Sequence, residues 1–173
     1  MQYIDIVNFS GPIDKELQKR LGFSKILTSG DVDVIDAPNK QTKKQFLINS
    51  TVPNVVYNLM KANNAIGLLI DGNGVDAKML AKVSDAGKLL VFNAYYLTIS
   101  ERDRIGKIHK MRKNFRNAAK LKAKMAIVTL APNEDYLMSS IQLLEVANLI
   151  TLNDAAAKKM VSTIGETLND TKA

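Results

Sequence analysis

The sequence predicts an α/β fold: a single domain of repeated βα units forming a trimmed TIM-barrel-like sheet, with an open doubly wound parallel sheet as the alternative. Three observations carry this expectation. Short, mostly apolar strand-like runs alternate with helical patterns along the whole chain, and such alternation calls for a parallel sheet with right-handed helical crossovers. The 173 residues, 46% of them apolar, can enclose one sizeable core but are short for two. A closed eight-stranded barrel takes roughly 200 residues or more, so a barrel here has to be a reduced one. One domain is expected over residues 1–173, with a frayed tail from Asn169.

The elements follow in order. Residues 3–8 (YIDIVN) alternate like a short strand, and Ser10-Gly11-Pro12 precedes a helix over Asp14 to Leu21, with Gly22 at its end. Phe23 to Thr28 reads as a second strand. Asp31, Asp33 and Asp36 read as a solvated loop, since the cluster lacks calcium-loop spacing, and Asp36 to Lys44 reads as an exposed basic loop carrying Lys40, Lys43 and Lys44. Gln45 to Asn49 is a third strand, Val52 to Asn63 a helix with proline in its first turn, and Ala65 to Ile70 a buried strand. Asp71-Gly72-Asn73-Gly74 is a turn, followed by a helix over Asp76 to Asp85 and a strand over Lys88 to Asn93. A basic helix then starts near Ser100, its own N-cap, with Glu101 and Asp103 in the first turn. Met125 to Leu130 is a strand, Asn133 to Asn148 a helix, Leu149 to Leu152 a last strand, and Asn153-Asp154 caps a helix to about Thr167.

Charge distribution points to function. Residues 101–124 hold ten of the 24 Lys and Arg but only two of the 17 Asp and Glu, a local balance of +8. The remaining 14 basic and 15 acidic residues leave the rest of the chain at −1. A charge excess gathered in one segment is the expected footprint of a polyanion site. Ile105, Ile108, Met111, Phe115, Ala118 and Leu121 recur at steps of three and four, so one helix face is expected in the core and the cations outside. Arg102, Arg104, Lys107, Lys110, Arg112, Lys113, Arg116 and Lys120 are the candidate RNA-binding residues, with Asn114 and Asn117 as further donors to sugar or phosphate. A membrane-surface role fits less well, because a helix between two strands has its apolar face committed to the core.

Composition excludes several chemistries. There is no cysteine, which rules out disulfides, thiolate metal sites and a cysteine nucleophile, and fits a cytoplasmic protein. The single histidine, His109, leaves no histidine-rich metal site or hydrolytic triad, and no metal or other cofactor is expected on the protein. No apolar run is long enough to span a membrane. Neither GxGxxG nor GxxxxGK[ST] occurs. Tyr95-Tyr96 is the only adjacent aromatic pair, so contact with the shape and backbone of a structured RNA is favoured over base stacking. Two other classes stay open: a small barrel-type enzyme acting on a phosphorylated metabolite through Asp71, Asn73 and nearby lysines, and a pure protein-interaction module.

The stretches GVDAKMLAKVSDAGKLLVFNAYYL (Gly74 to Leu97), RKNFRNAAKLKAKMAIVTLA (Arg112 to Ala131) and LITLNDAAAKKMVSTIGETL resemble, in order and spacing, the archaeal ribonuclease P protein component 3 family. The resemblance is carried mainly by residues 65–168. It implies a barrel-like α/β fold, partnership with ribonuclease P protein component 2 and the other ribonuclease P proteins, and assembly on the catalytic RNA. That RNA, with Mg2+, removes the 5′ leader of precursor tRNA, and the protein helps it fold and act without being the catalyst. The family's basic helix maps to Arg112, Lys113, Arg116 and Lys120. Val91 stands where the family tends to have glutamate, and Thr129-Leu130-Ala131 where it favours a serine pair and alanine, so roles of those polar groups do not carry over. The fold is also similar to that of the polymerase and histidinol phosphatase phosphoesterases, but Asp5-Ile6-Val7-Asn8 stands in place of their histidine-bearing metal motif.

Overall fold

The computed structural model describes residues 3–37, 42–98 and 101–170. Among the described residues seven strands, β1 (Ile4–Ile6), β2 (Lys25–Leu27), β3 (Val32–Ile35), β4 (Gln45–Ile48), β5 (Ala65–Ile70), β6 (Leu89–Asn93) and β7 (Met125–Val128), are interleaved with six α-helices. These are α1 (Lys15–Arg20), α2 (Pro53–Met60), α3 (Ala77–Asp85), α4 (Glu101–Lys120), α5 (Ser140–Thr151) and α6 (Asp154–Asp170). The ladders are all parallel, β1 with β2 and β3 through β7 in sequence order. The pair joins the larger sheet at β7, where the Leu130 amide donates to the Ile6 carbonyl at 2.8 Å and the Asn8 amide to the Ala131 carbonyl at 2.9 Å.

The two sides of the strands separate the expected alternatives. On one side Val56 of α2, Leu80 of α3, Met111 of α4, Leu143 of α5 and Met160 of α6 pack on Ile48, Ile70, Phe92 and Ile127. On the other the strands pack on one another: Ile6, Leu27, Val32, Leu47, Leu69, Val91 and Val128, one from each strand, share a single cluster. Of the helices, α6 alone reaches that cluster among the described residues, through Ile164 and Leu168. A doubly wound sheet carries helices on both faces. Here the sheet curls around its own side chains, as in a barrel, and α6 adds Ile164 and Leu168 to the side chains buried there. Between β2 and β3 the chain makes a turn over residues 28–31, with no ladder among the described residues.

Local signals explain most elements. Asp14 caps α1 by accepting from the Glu16 amide at 3.2 Å, and Pro53 opens α2 where its missing N–H costs nothing. Gly87 ends α3 at φ +68°, letting the Lys88 amide reach back to the Val83 carbonyl at 3.1 Å.

Several expectations are corrected. Leu149 to Leu152 is not a strand: Leu149 to Thr151 form the last turn of α5, whose Leu143, Ala147 and Ile150 face the helical core. The preceding helix starts later than Asn133, because a capping box at Ser139 and Gln142 fixes the start of α5 and a 3-10 turn, Glu134–Tyr136, comes first. The acidic cluster is not all loop either. Asp33 lies in β3, accepts a hydrogen bond from the Thr42 hydroxyl and pairs with Lys44 at 3.6 Å, so Lys44 is engaged. Lys40, with residues 38–41, lies outside the described residues, as does the Ser100 cap. The last helix runs past Thr167 to Asp170, and 171–173 lie outside the description.

Candidate nucleic-acid interface

Helix α4 packs by a narrow face. Met111 and Ala118 are fully buried, with Ile108 and Phe115 half-buried beside them. Ile105 and Leu121, expected in the core, are 82% and 39% exposed, because at 100° per residue they stand about 120° and about 80° round the helix from the buried Met111. Asn114 takes part of the buried face instead, at 1% exposure. Its Oδ1 accepts from the Val75 amide at 3.3 Å and its Nδ2 donates to the Asn73 carbonyl at 2.9 Å, so it holds the 71–74 turn and is not free for sugar or phosphate. Its neighbour Asn117 stays half-exposed.

The same turn is tied to α4 and β6 at two more points. Gly72, at φ +71°, lies against the Lys107 stem, 3.3 Å from where a Cβ would sit. Asp71, at the end of β5, accepts through Oδ1 from the Asn93 side-chain Nδ2 at 3.2 Å. Burial pushes its carboxyl above the ordinary range, and Asn93 opposes that shift. The residues weighed for an enzyme site thus serve as the bracket that seats α4. Among the described residues no three His, Asp or Glu side chains come together as a metal site would need.

Of the eight candidate cations, five are exposed: Arg102, Lys110, Lys113, Arg116 and Lys120. At 100° per residue they fall within about a third of the helix circumference, opposite Met111 and Ala118, and span about 27 Å. The exposed His109 lies in the same arc. The other three are half-buried with partners in the chain. Arg104 Nε donates to the Leu97 carbonyl at 2.8 Å, Arg112 Nε donates to the Leu149 carbonyl at 2.7 Å, and Lys107 lies 5.4 Å from the Tyr96 ring centre. No ion pair among the described residues involves α4. The arc is therefore a row of fixed positive charges on a rigid helix, able to neutralise phosphates but offering no catalytic group.

A buried carboxylate was missed at sequence level. Asp5 Oδ1 accepts from the Thr129 amide at 2.7 Å and from its neighbour Ile6 at 2.9 Å, pinning β1 to β7. Its Oδ2 and the Thr129 hydroxyl are buried without a hydrogen-bond partner of ordinary geometry. Burial lifts the carboxyl from 3.8 to about 6, against the lowering effect of the Thr129 and Ile6 hydrogen bonds. Nothing in the alternation of YIDIVN marks it, since a solvated Asp would look the same.

If Asn114 is a structural bracket, Asn114→Ala leaves the Val75 amide without its acceptor and lowers stability by about 2 kcal/mol. Thermal unfolding should then show a drop of about 6 °C while the salt dependence of RNA binding stays unchanged. A variant of normal stability with weakened RNA binding would instead return Asn114 to the interface.

The fold and the site together define a barrel-like α/β protein that carries a rigid cationic helix on its outside. No family model matches the sequence, and no curated protein matches it. Solved structures do. A chain of the cryo-EM structure of archaeal ribonuclease P with mature tRNA aligns over 97% of this chain and 81% of its own length, with a TM-score of 0.69 and 15% identity. A crystal structure of a prolidase complexed with N-methylphosphonate-L-proline aligns over 97% of this chain but 56% of its own length, with a TM-score of 0.55 and 9% identity. At such identities the likeness is one of fold.

Proposed function

We propose that this chain is a cytoplasmic protein subunit of ribonuclease P, of the component 3 type, and supports RNA-catalysed removal of the 5′ leader from precursor tRNA. The observation that carries the reading is the exposed arc of Arg102, Lys110, Lys113, Arg116 and Lys120 on α4, in a fold like that of a chain of an archaeal ribonuclease P. Cations held on a rigid helix release counterions from the RNA and lower the Mg2+ it needs to reach its active shape. Arg104, Lys107 and Arg112 hold α4 in place and have further donors to offer. In this reading the RNA and its Mg2+ supply the endoribonuclease chemistry, and the chain itself supplies charge and shape. Component 2 and the other ribonuclease P proteins complete the particle, with precursor tRNA as its substrate.

The test is a salt series of binding to ribonuclease P RNA, beside a variant with Lys110, Lys113, Arg116 and Lys120 changed to Glu. Contacts to five phosphates give a slope of about −4 in log K against log salt. The variant should lose most of that slope and bind about a hundredfold more weakly at moderate salt, and it should fail to raise precursor-tRNA cleavage at limiting Mg2+. Weak binding that is the same for both proteins overturns the reading.

A further inference from the structure

Lys124 and Lys158 enclose 33 residues without a single Lys or Arg, in a chain that has 24 of them. The same window carries Glu134, Asp135, Glu145 and Asp154, of which Asp154 is paired with Lys158 at 2.7 Å. It follows directly on the +8 segment, so the charge of the molecule is divided between two neighbouring regions. A phosphate backbone held on α4 finds no cation on α5, where Glu145 is exposed, as are Glu134 and Asp135 just ahead of the helix.

The cation-free region is not inert. Ile141, Leu149 and Leu152 are 71%, 47% and 73% exposed, and Tyr136 just ahead of the helix is 44% exposed. Apolar residues scattered singly on a surface need no explanation, but these are not scattered. At 100° per residue Ile141, Glu145, Leu149 and Leu152 fall within an arc of about 80°, one stripe along the outside of α5. Beside the first turns of that stripe lies a recess of about 510 Å3, lined by Tyr136, Leu137, Met138, Ile141 and Val146, with Asp135 and Glu145 at its polar edge.

Leu152 adds a second kind of observation. It closes α5 at φ +55°, a left-handed conformation that glycine adopts without strain and a leucine does not. The chain therefore holds a large apolar side chain in water on a strained backbone, where glycine would relieve both costs. The Arg112 guanidinium, bonded to the Leu149 carbonyl at 2.7 Å, fixes this end of α5 against α4 and makes the stripe rigid.

We infer that the outer face of α5, with the recess at its start, docks a protein partner whose contact surface carries aliphatic side chains flanked by Lys or Arg, and that it does not contact RNA. This rests on the ribonuclease P reading and gives the two helices separate roles, with α4 facing nucleic acid and α5 facing protein. Aliphatic anchors fill the recess and cover Leu149 and Leu152, while the flanking cations meet Glu134, Asp135 and Glu145.

The test uses the full chain with ribonuclease P RNA and with each of the complex's other proteins singly, measured by titration and by sedimentation. Three variants are compared: Ile141→Glu with Leu149→Glu, Leu152→Gly, and the α4 charge reversal. One protein should bind the wild type, at least tenfold more weakly to the double variant and several-fold more weakly to Leu152→Gly. Leu152→Gly should at the same time raise the thermal midpoint, which separates loss of an anchor from loss of folding. Both should keep the wild-type salt slope for RNA, and the charge reversal should show the opposite pattern. Protein binding that no α5 variant weakens overturns the inference, as does RNA affinity that falls with them. A dimer of the chain alone that the double variant dissolves would give the face to a second copy and also overturn it. RNA binding of the expected slope with no protein bound defeats this inference alone, whereas the absence of RNA binding defeats the ribonuclease P reading.

Discussion

Asp5→Asn is expected to leave stability near pH 4 almost unchanged and to raise it by about 2–3 kcal/mol at pH 7. The Asp5 carboxyl is pushed up to about 6 because it is buried between β1 and β7. A group whose folded value lies above its unfolded one favours folding while protonated. Its contribution is fully present below about pH 4 and is lost as the pH rises through about 6. Above that, the fold holds a carboxylate away from water with Oδ2 unpartnered. An asparagine keeps an oxygen for the Thr129 and Ile6 amides, and its Nδ2 can donate to the Thr129 hydroxyl, which otherwise has no well-formed partner. Asp71 is raised as well and would add a slope of the same sign, so the quantity to measure is the difference between the two proteins in denaturant titrations from pH 4 to 7. A difference that stays constant with pH, or a variant less stable at pH 7, would show that the carboxylate form is the one the fold prefers.

Gly67→Ala should cost about 3 kcal/mol, seen as a drop of about 10 °C in the thermal midpoint. Gly67 is a middle residue of β5 and pairs with Leu47 of β4 and Leu89 of β6. A Cβ there would overlap the Leu89 carbonyl oxygen and lie 2.8 Å from its carbon, both backbone atoms that move only if the ladder moves. Gly74, where a Cβ meets nothing within 4 Å, is the control, and its alanine variant should be near neutral. An unperturbed midpoint for Gly67→Ala would mean that β5 and β6 can slide apart at small cost, which a strand-built core should resist.

Legibility followed the range of the interaction involved. The basic helix, the buried strand at residues 65–70, the turn at 71–74 and the proline-led α2 could all be placed from residues a few positions apart, because capping, turn chemistry and amphipathic period are local. Leu149 to Leu152 misled for the same reason. A short apolar run fits strand and helix equally, and only the capping box at Ser139 with the packing of α5 on the core decides between them. Asn114 looked like a surface donor among cations, yet its partners lie 39 and 41 residues away.

The charge of α4 and its division from the cation-free α5 region were set by the sequence alone, since charge and order along the chain do not depend on how it folds. Which of those charges stay free was settled by tertiary structure. Arg104, Lys107 and Arg112 meet a carbonyl, a ring and a second carbonyl only because the 71–98 segment and α5 fold back against the helix. The curl of the sheet and the burial of Asp5 were decided in the same way. Each depends on β1 meeting β7 across more than a hundred residues, and the register of that contact is set by hydrogen bonds and packing that no local pattern encodes.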